Sequence, residues 1–173
     1  MIIFVLNSTL RNKNYIIAMC WLFTAHTTIT FAQDYSEQAK GYFTKFLEPG
    51  SRKELINHLP TLDECKMVFT GLDAFTYFGI MEAARQSFTE EFKMDTAKYV
   101  DVKVTCFSTQ DIDLNKQNYA GGMRNARNRL QPYVLFYQVS MLRTVGAFGG
   151  SSLKYWVFIN GRWVFFPKIH AMF

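Results

Sequence analysis

Residues 154–168 read KYWVFINGRWVFFPK, and this stretch decides how the rest of the chain has to fold. Asn160-Gly161 stands between two runs of β-branched and aromatic residues, and both residues tolerate the positive φ that a two-residue hairpin turn requires. Such a turn fixes the register: Ile159 faces Arg162, Phe158 faces Trp163, Val157 faces Val164 and Trp156 faces Phe165. Because side chains alternate along a strand, one side carries Trp156, Phe158, Trp163 and Phe165. The other carries Tyr155, Val157, Ile159, Val164 and Phe166. A sheet wetted on one side alternates apolar with polar residues. This hairpin does so on neither side, so both of its faces need a cover, which a helix, a partner subunit or a bound ligand would supply.

Working outward, YVLFYQVSML (133–142) is a second strand that is apolar on both faces apart from Gln138 and Ser140. In YVDVKVTCFS (99–108), Val100, Val102, Val104 and Cys106 point one way while Asp101, Lys103 and Thr105 point the other, the pattern of a strand with one wet face. Between these two strands lie a polar connection and GGMRNARNRL, with Met123, Ala126 and Leu130 on one short helical face closed by Pro132. GAFGGSS (146–152) reads as the loop into the hairpin. It lacks the GK[ST] and the following helix of a phosphate-binding loop.

Ahead of the strands the period is helical. Tyr35, Ala39, Tyr42, Phe43, Phe46 and Leu47 share a face until Pro49-Gly50. Ser51 with Glu54 forms a capping-box pattern that opens a helix carrying Leu55, Ile56 and Leu59, closed by Pro60. Thr61 with Glu64 forms another, before Leu62, Cys65, Phe69 and Leu72. Residues 73–92 present Ala74, Phe78, Met81, Phe88 and Phe92, stripes that are expected to pack on a sheet.

Helices first and an antiparallel sheet after them make an α+β domain, with N-terminal helices packed on a strongly curved antiparallel sheet of about four strands. This order, ending in the FINGRWVFFPK hairpin, resembles the nuclear transport factor two-like (cystatin-like, cone-shaped) superfamily over about residues 34–167. Within it the chain looks like uncharacterised secreted bacterial members. The resemblance implies helices lying in the concave side of the bent sheet, a pocket between them, and a homodimer through the outer sheet face. A large aromatic face is itself more often an interface than free surface, and such a dimer would be symmetric.

The amino terminus has a different character. Arg11 and Lys13 precede the apolar YIIAMCWLFTAHTTITFA, and no acidic residue occurs before Asp34. This is the layout of a secretory signal peptide over residues 1–32, cleaved after Ala32. It implies a secreted or periplasmic domain of residues 33–173 with no stable membrane span. Without Arg11 and Lys13 the chain has 17 basic against 14 acidic residues, a balance that gives no warrant for nucleic-acid binding. Cys65 and Cys106 are then an even pair in an oxidising compartment, either bonded to each other or two buried free thiols.

Chemistry-bearing patterns are sparse. His58 lies near the end of a short helix and His170 in the tail, so neither falls on an inner strand position, and no catalytic residue is assigned. The cysteines and histidines lack close ligand spacing, so neither a metal nor a cofactor is expected. Arg124 and Arg127 share a helical side and are a candidate anion-binding pair. Tyr137, Trp156 and Trp163 are candidate ligand-binding walls, aromatic with a polar handle. The sequence therefore reads as a binding or interaction module for a small apolar ligand or a partner protein. Two alternatives stand beside it, a small cofactor-free isomerase or dehydratase with an acid-base pocket, and an immunity-type protein that neutralises a partner.

Overall fold

The structure is a computed structural model that describes residues 35–94, 97–116, 119, 121–145 and 150–172. The chain divides into Met1–Gln38 and Ala39–Phe173, and the fold is that of the second unit. The expected signal peptide, residues 1–32, lies outside the described residues. Among those described, no helix is long and apolar enough to cross a membrane.

The unit is α+β, with helices before a four-stranded antiparallel sheet. Helical residues 39–43 (α1) run into a 3-10 turn, Thr44–Phe46. A 3-10 helix, Ser51–His58, follows, then α2 (Leu62–Val68) and α3 (Asp73–Met94). Strand β1 (Asp101–Ser108) leads through α4 (Thr109–Asp113), α5 (Met123–Ala126) and a 3-10 turn, Arg127–Arg129, to β2 (Leu135–Leu142). The chain ends with β3 (Gly150–Ile159), β4 (Arg162–Phe165) and the short α6 (Ile169–Met172).

Local chemistry accounts for most boundaries. At α2 the Thr61 hydroxyl accepts from the Glu64 amide while the Glu64 carboxylate accepts from the Thr61 amide, the capping box read from the sequence. The Ser51–Glu54 pattern has a different outcome. Gly50 adopts φ +78°, no side chain caps the segment, the Ser51 hydroxyl donates to the Glu48 carbonyl, and the element is a 3-10 helix. An unanticipated capping box, Ser108 with Asp111, opens α4 inside the stretch read as a polar connection. The supposed loop ending in Gly150-Ser151-Ser152 gives those three residues to β3.

In the hairpin, Ile159 pairs with Arg162, Phe158 with Trp163, Val157 with Val164 and Trp156 with Phe165, as the turn dictates. Asn160 and Gly161 have φ of +51° and +81°. Between β2 and β3, Tyr137 pairs with Trp156 but Gln138 with Lys154, so Tyr155 is an extra, bulged residue. The bulge places Leu153 opposite Val139, on the inner face with Trp156, where a regular strand would have turned it outward.

Both faces of the hairpin are covered by the chain's own helices. On the inner face the Phe43 ring lies 4.6 Å from Trp156 and 5.4 Å from Trp163, and Phe92 of α3 reaches Phe165. On the outer face Phe69 and Tyr77, stacked at 4.5 Å, meet Phe166, and the Tyr77 hydroxyl donates to the Pro167 carbonyl at 2.8 Å. Burying each such ring contributes about 1.5–3 kcal/mol. The bare aromatic face that motivated a homodimer is thus filled from within the chain. Where the helices stop, the outer face turns polar, with Lys103 and Thr105 exposed and Gln138 half-buried. Phe107 is the exception to the wet face expected of β1: it is buried against Phe136 and Tyr155.

Candidate functional site

Strand β3 is longer than its neighbours and offset from both. It pairs with β2 from Gly150 to Trp156 and with β4 from Trp156 to Ile159. Beyond Tyr137 the chain on the β2 side leaves the ladder. It is drawn aside by bonds from the Gln131 amide to the Val68 carbonyl (2.8 Å) and from the Thr109 amide to the Val134 carbonyl (3.0 Å). Tyr133, after Pro132, takes φ +65° to make the turn.

The gap this leaves beside Val157–Ile159 is a cleft of about 330 Å³. Met67 and Val68 of α2 form one wall, Tyr133, Leu135 and Tyr137 the other, and Phe158 part of the floor. Among the described residues, none that lines it carries a carboxylate, imidazole, amine or guanidinium. At its mouth Tyr133 is 73% exposed and Met67 50%, apolar surface that the fold leaves in water. The cleft suits an apolar guest.

The sequence-derived site residues are brought together, but not as three pocket walls. The Tyr137 and Trp163 rings meet edge to face at 4.9 Å, and Tyr137 sits across from Trp156. Trp156 and Trp163 are then buried under Phe43, which fills the space where a pocket between helices and sheet was expected. Only Tyr137 reaches the cleft. The buried Trp156 indole N–H has no hydrogen-bond partner among the described residues.

The arginines of the α5 segment have internal partners. Arg127 forks onto Asp113 at 2.7 and 2.6 Å, and Arg124 donates to Asn115 and to the Tyr119 hydroxyl. Arg129 pairs with Asp73 at 2.8 Å. Of the candidate anion-binding pair, Arg127 is thus held by a carboxylate and Arg124 by neutral acceptors. Cys65 is buried in α2 and Cys106 half-buried in β1, and the two are not bonded to each other. Burial, with the nearby Glu64 charge, pushes the Cys65 thiol up to about 12. No group of three or more potential ligands gathers for a metal among the described residues.

One ionisable pairing escaped the sequence reading. His58 Nδ1 lies 2.9 Å from the Trp163 carbonyl, and Nε2 lies 3.0 Å from the Tyr42 hydroxyl. A carbonyl only accepts, so Nδ1 carries the proton and, in the neutral ring, Nε2 accepts from Tyr42. Burial lowers the pKa below 6.5, opposed by the Trp163 carbonyl and assisted by the positive charges of Lys45 and Arg162. His58 and Tyr42 do not line the cleft. Their pairing ties the 3-10 helix, α1 and β4 together. The signal was the coincidence of Tyr42 and His58 on elements flanking Pro49-Gly50, which spacing alone does not bring into register.

Set against protein-family models, curated proteins and solved structures, the chain matches none of them.

Proposed function

We propose that this protein is a binding module, exported from the cell, that takes a small apolar ligand in the cleft between the diverging ends of β2 and β3. The observation that carries the reading is the cleft's lining: ten residues, all apolar or aromatic, with Met67 and Tyr133 held in solvent at its mouth. Exposed apolar side chains converging on a concave surface are costly in water and mark binding sites. General acid-base chemistry needs ionisable groups on the cavity wall. Among the described residues, the cleft's only titratable groups are two tyrosines, which favours binding over an isomerase or dehydratase. Helices followed by an antiparallel sheet, with the NGRW hairpin closing it, support reading the domain as nuclear transport factor two-like. The basic, apolar, acid-free start of the sequence supports export.

The test is titration of the purified chain with the neutral fluorophore N-phenyl-1-naphthylamine. Saturable enhancement is expected, weakened about ten-fold or more in the pair Met67→Ser and Tyr133→Ser, whose exposed positions leave the core intact. The reading fails if binding is not saturable, or if the double variant binds as the parent does.

A further inference from the structure

The offset of β3 leaves a second gap, on its other edge. β4 ends at Phe165, opposite Trp156, so the β4 side of Ser151–Lys154 is unladdered and opens onto a cleft of about 320 Å³. Its floor is aromatic: Phe88 and Phe92 of α3, stacked at 6.0 Å, with Phe165 beside them. Its rim is polar, and unlike the apolar cleft it carries charge from three separate elements, Glu91 on α3, Lys154 on β3 and Lys168 after β4. Ser151 and Ser152 also line it.

The charges here are unmatched. Arg127, Arg129 and Arg162 each have a carboxylate partner, whereas none of Lys154, Lys168 and Glu91 forms an ion pair among the described residues. Lys168, an exposed residue, instead places its ammonium 5.2 Å from the centre of the Phe88 ring, with its backbone at φ +58°. Two ammonium groups against one carboxylate leave one positive charge to be balanced. His170, also at the rim, is bonded through Nδ1 to the Tyr155 hydroxyl at 3.2 Å. Burial pushes Tyr155 up to about 12, so the hydroxyl stays neutral and adds no negative charge.

We propose that this cleft binds a monoanionic amphiphile, an aryl or acyl carboxylate. The hydrocarbon lies on Phe88, Phe92 and Phe165, and the carboxylate sits between Lys154 and Lys168. An aromatic floor accepts hydrocarbon, ammonium donors hold a carboxylate, and Glu91 selects against a dianion. The cleft is at the small end of ligand-site volumes, which suits a single chain or ring system. The site is separate from the apolar cleft and does not rest on its occupancy.

The purified chain is titrated with sodium dodecanoate and, in parallel, with dodecanol, both followed by backbone amide chemical shifts. Dodecanoate is expected to shift residues of Phe88–Phe92 and Ser151–Lys154 in a saturable manner and to bind about ten-fold more tightly than dodecanol. Lys154→Met with Lys168→Met, which keeps the apolar stems, should remove that preference and leave dodecanol binding unchanged. Glu91→Gln, at an exposed position, should tighten dodecanoate about three-fold. Met67→Ser with Tyr133→Ser should leave dodecanoate binding as it was. Failure of dodecanoate to bind, equal affinity for the alcohol, indifference to the lysine pair, or shifts confined to Met67 and Tyr133 would each overturn the assignment.

Discussion

Arg162, the first residue after the hairpin turn, holds Glu64 of α2 with both arms of its guanidinium, Nε to Oε1 at 2.6 Å and Nη2 to Oε2 at 2.7 Å. The same Glu64 closes the capping box by accepting from the Thr61 amide, and Arg162 also donates to the Asn57 and Leu59 carbonyls. One carboxylate thus caps a helix and anchors a hairpin 98 residues away.

Removing the Glu64 side chain leaves a half-buried guanidinium without its carboxylate and takes away one half of the capping box. Glu64→Ala is expected to cost about 2–3 kcal/mol in urea unfolding, and Arg162→Ala a similar amount. The double variant should cost clearly less than the two losses added together, since each single change already breaks the shared contact. Additive losses would show that the two residues act independently.

The pH dependence of this contact has a definite sign. Burial raises the Glu64 pKa, but the Arg162 and Thr61 hydrogen bonds outweigh it and hold the carboxyl below 4.5. A depressed folded value means that the stabilisation is complete above about pH 4.5 and is lost as pH falls through the folded value. In Glu64→Gln the slope of stability against pH below about 4.5 should be shallower than in the parent.

His58 works in the same direction at a higher pH. Its folded pKa is lowered chiefly by burial, so the unfolded chain binds its proton more readily. Its contribution is therefore complete above about pH 6.5 and declines as pH falls from there towards the folded value. The imidazole resonances should titrate with a midpoint below 6.5. His58→Phe, which forfeits the bonds to Trp163 and Tyr42, should cost about 1–2 kcal/mol at pH 8 and flatten this part of the profile.

Gly122 faces α6 without room for a side chain. A Cβ there would stand 2.8 Å from the His170 Cβ, an atom fixed by the backbone. Gly122→Ala is expected to destabilise by about 1–3 kcal/mol through overpacking. In a His170→Gly background the same change should cost much less. An equal cost in both backgrounds would place the strain elsewhere.

Thiol chemistry tests the burial of Cys65. With its pKa near 12 and its side chain buried, Cys65 should resist an aromatic disulfide reagent at pH 8 until the protein unfolds. A thiol that reacts in denaturant but not in buffer, and that is missing from Cys65→Ser, is the expected result.

The hairpin was legible because its register depends on four adjacent residues and the backbone tolerance of Asn160-Gly161. The demand for two covers was legible for the same reason. Which groups supply them was not, because Phe43, Phe69, Tyr77 and Phe92 come from helices far along the chain, and a stripe records that a face is buried without recording against what. Tyr77 was missed because Phe78 was read into the stripe in its place: both are aromatic and both lie within helical spacing of Ala74 and Met81, and it is Tyr77 that is buried, against Phe166. The apolar cleft was illegible for a related reason. It exists because β2 and β4 stop at different points along β3, and strand ends are set by contacts such as Gln131 to Val68 that no local pattern encodes. Of the three aromatic candidates, Tyr137 lines that cleft, while Trp156 and Trp163 have the composition of a pocket wall and the environment of a core.

Trp156 is the one residue of β3 laddered on both sides, to Tyr137 and to Phe165. Mechanically, the sheet is a lap joint. One ribbon of β1, β2 and the first half of β3 overlaps a second ribbon, the hairpin, along a single crosswise row, reinforced by the bond from the Phe166 amide to the Tyr155 carbonyl. Shear between the ribbons is carried by that row and by the helices clamped across it.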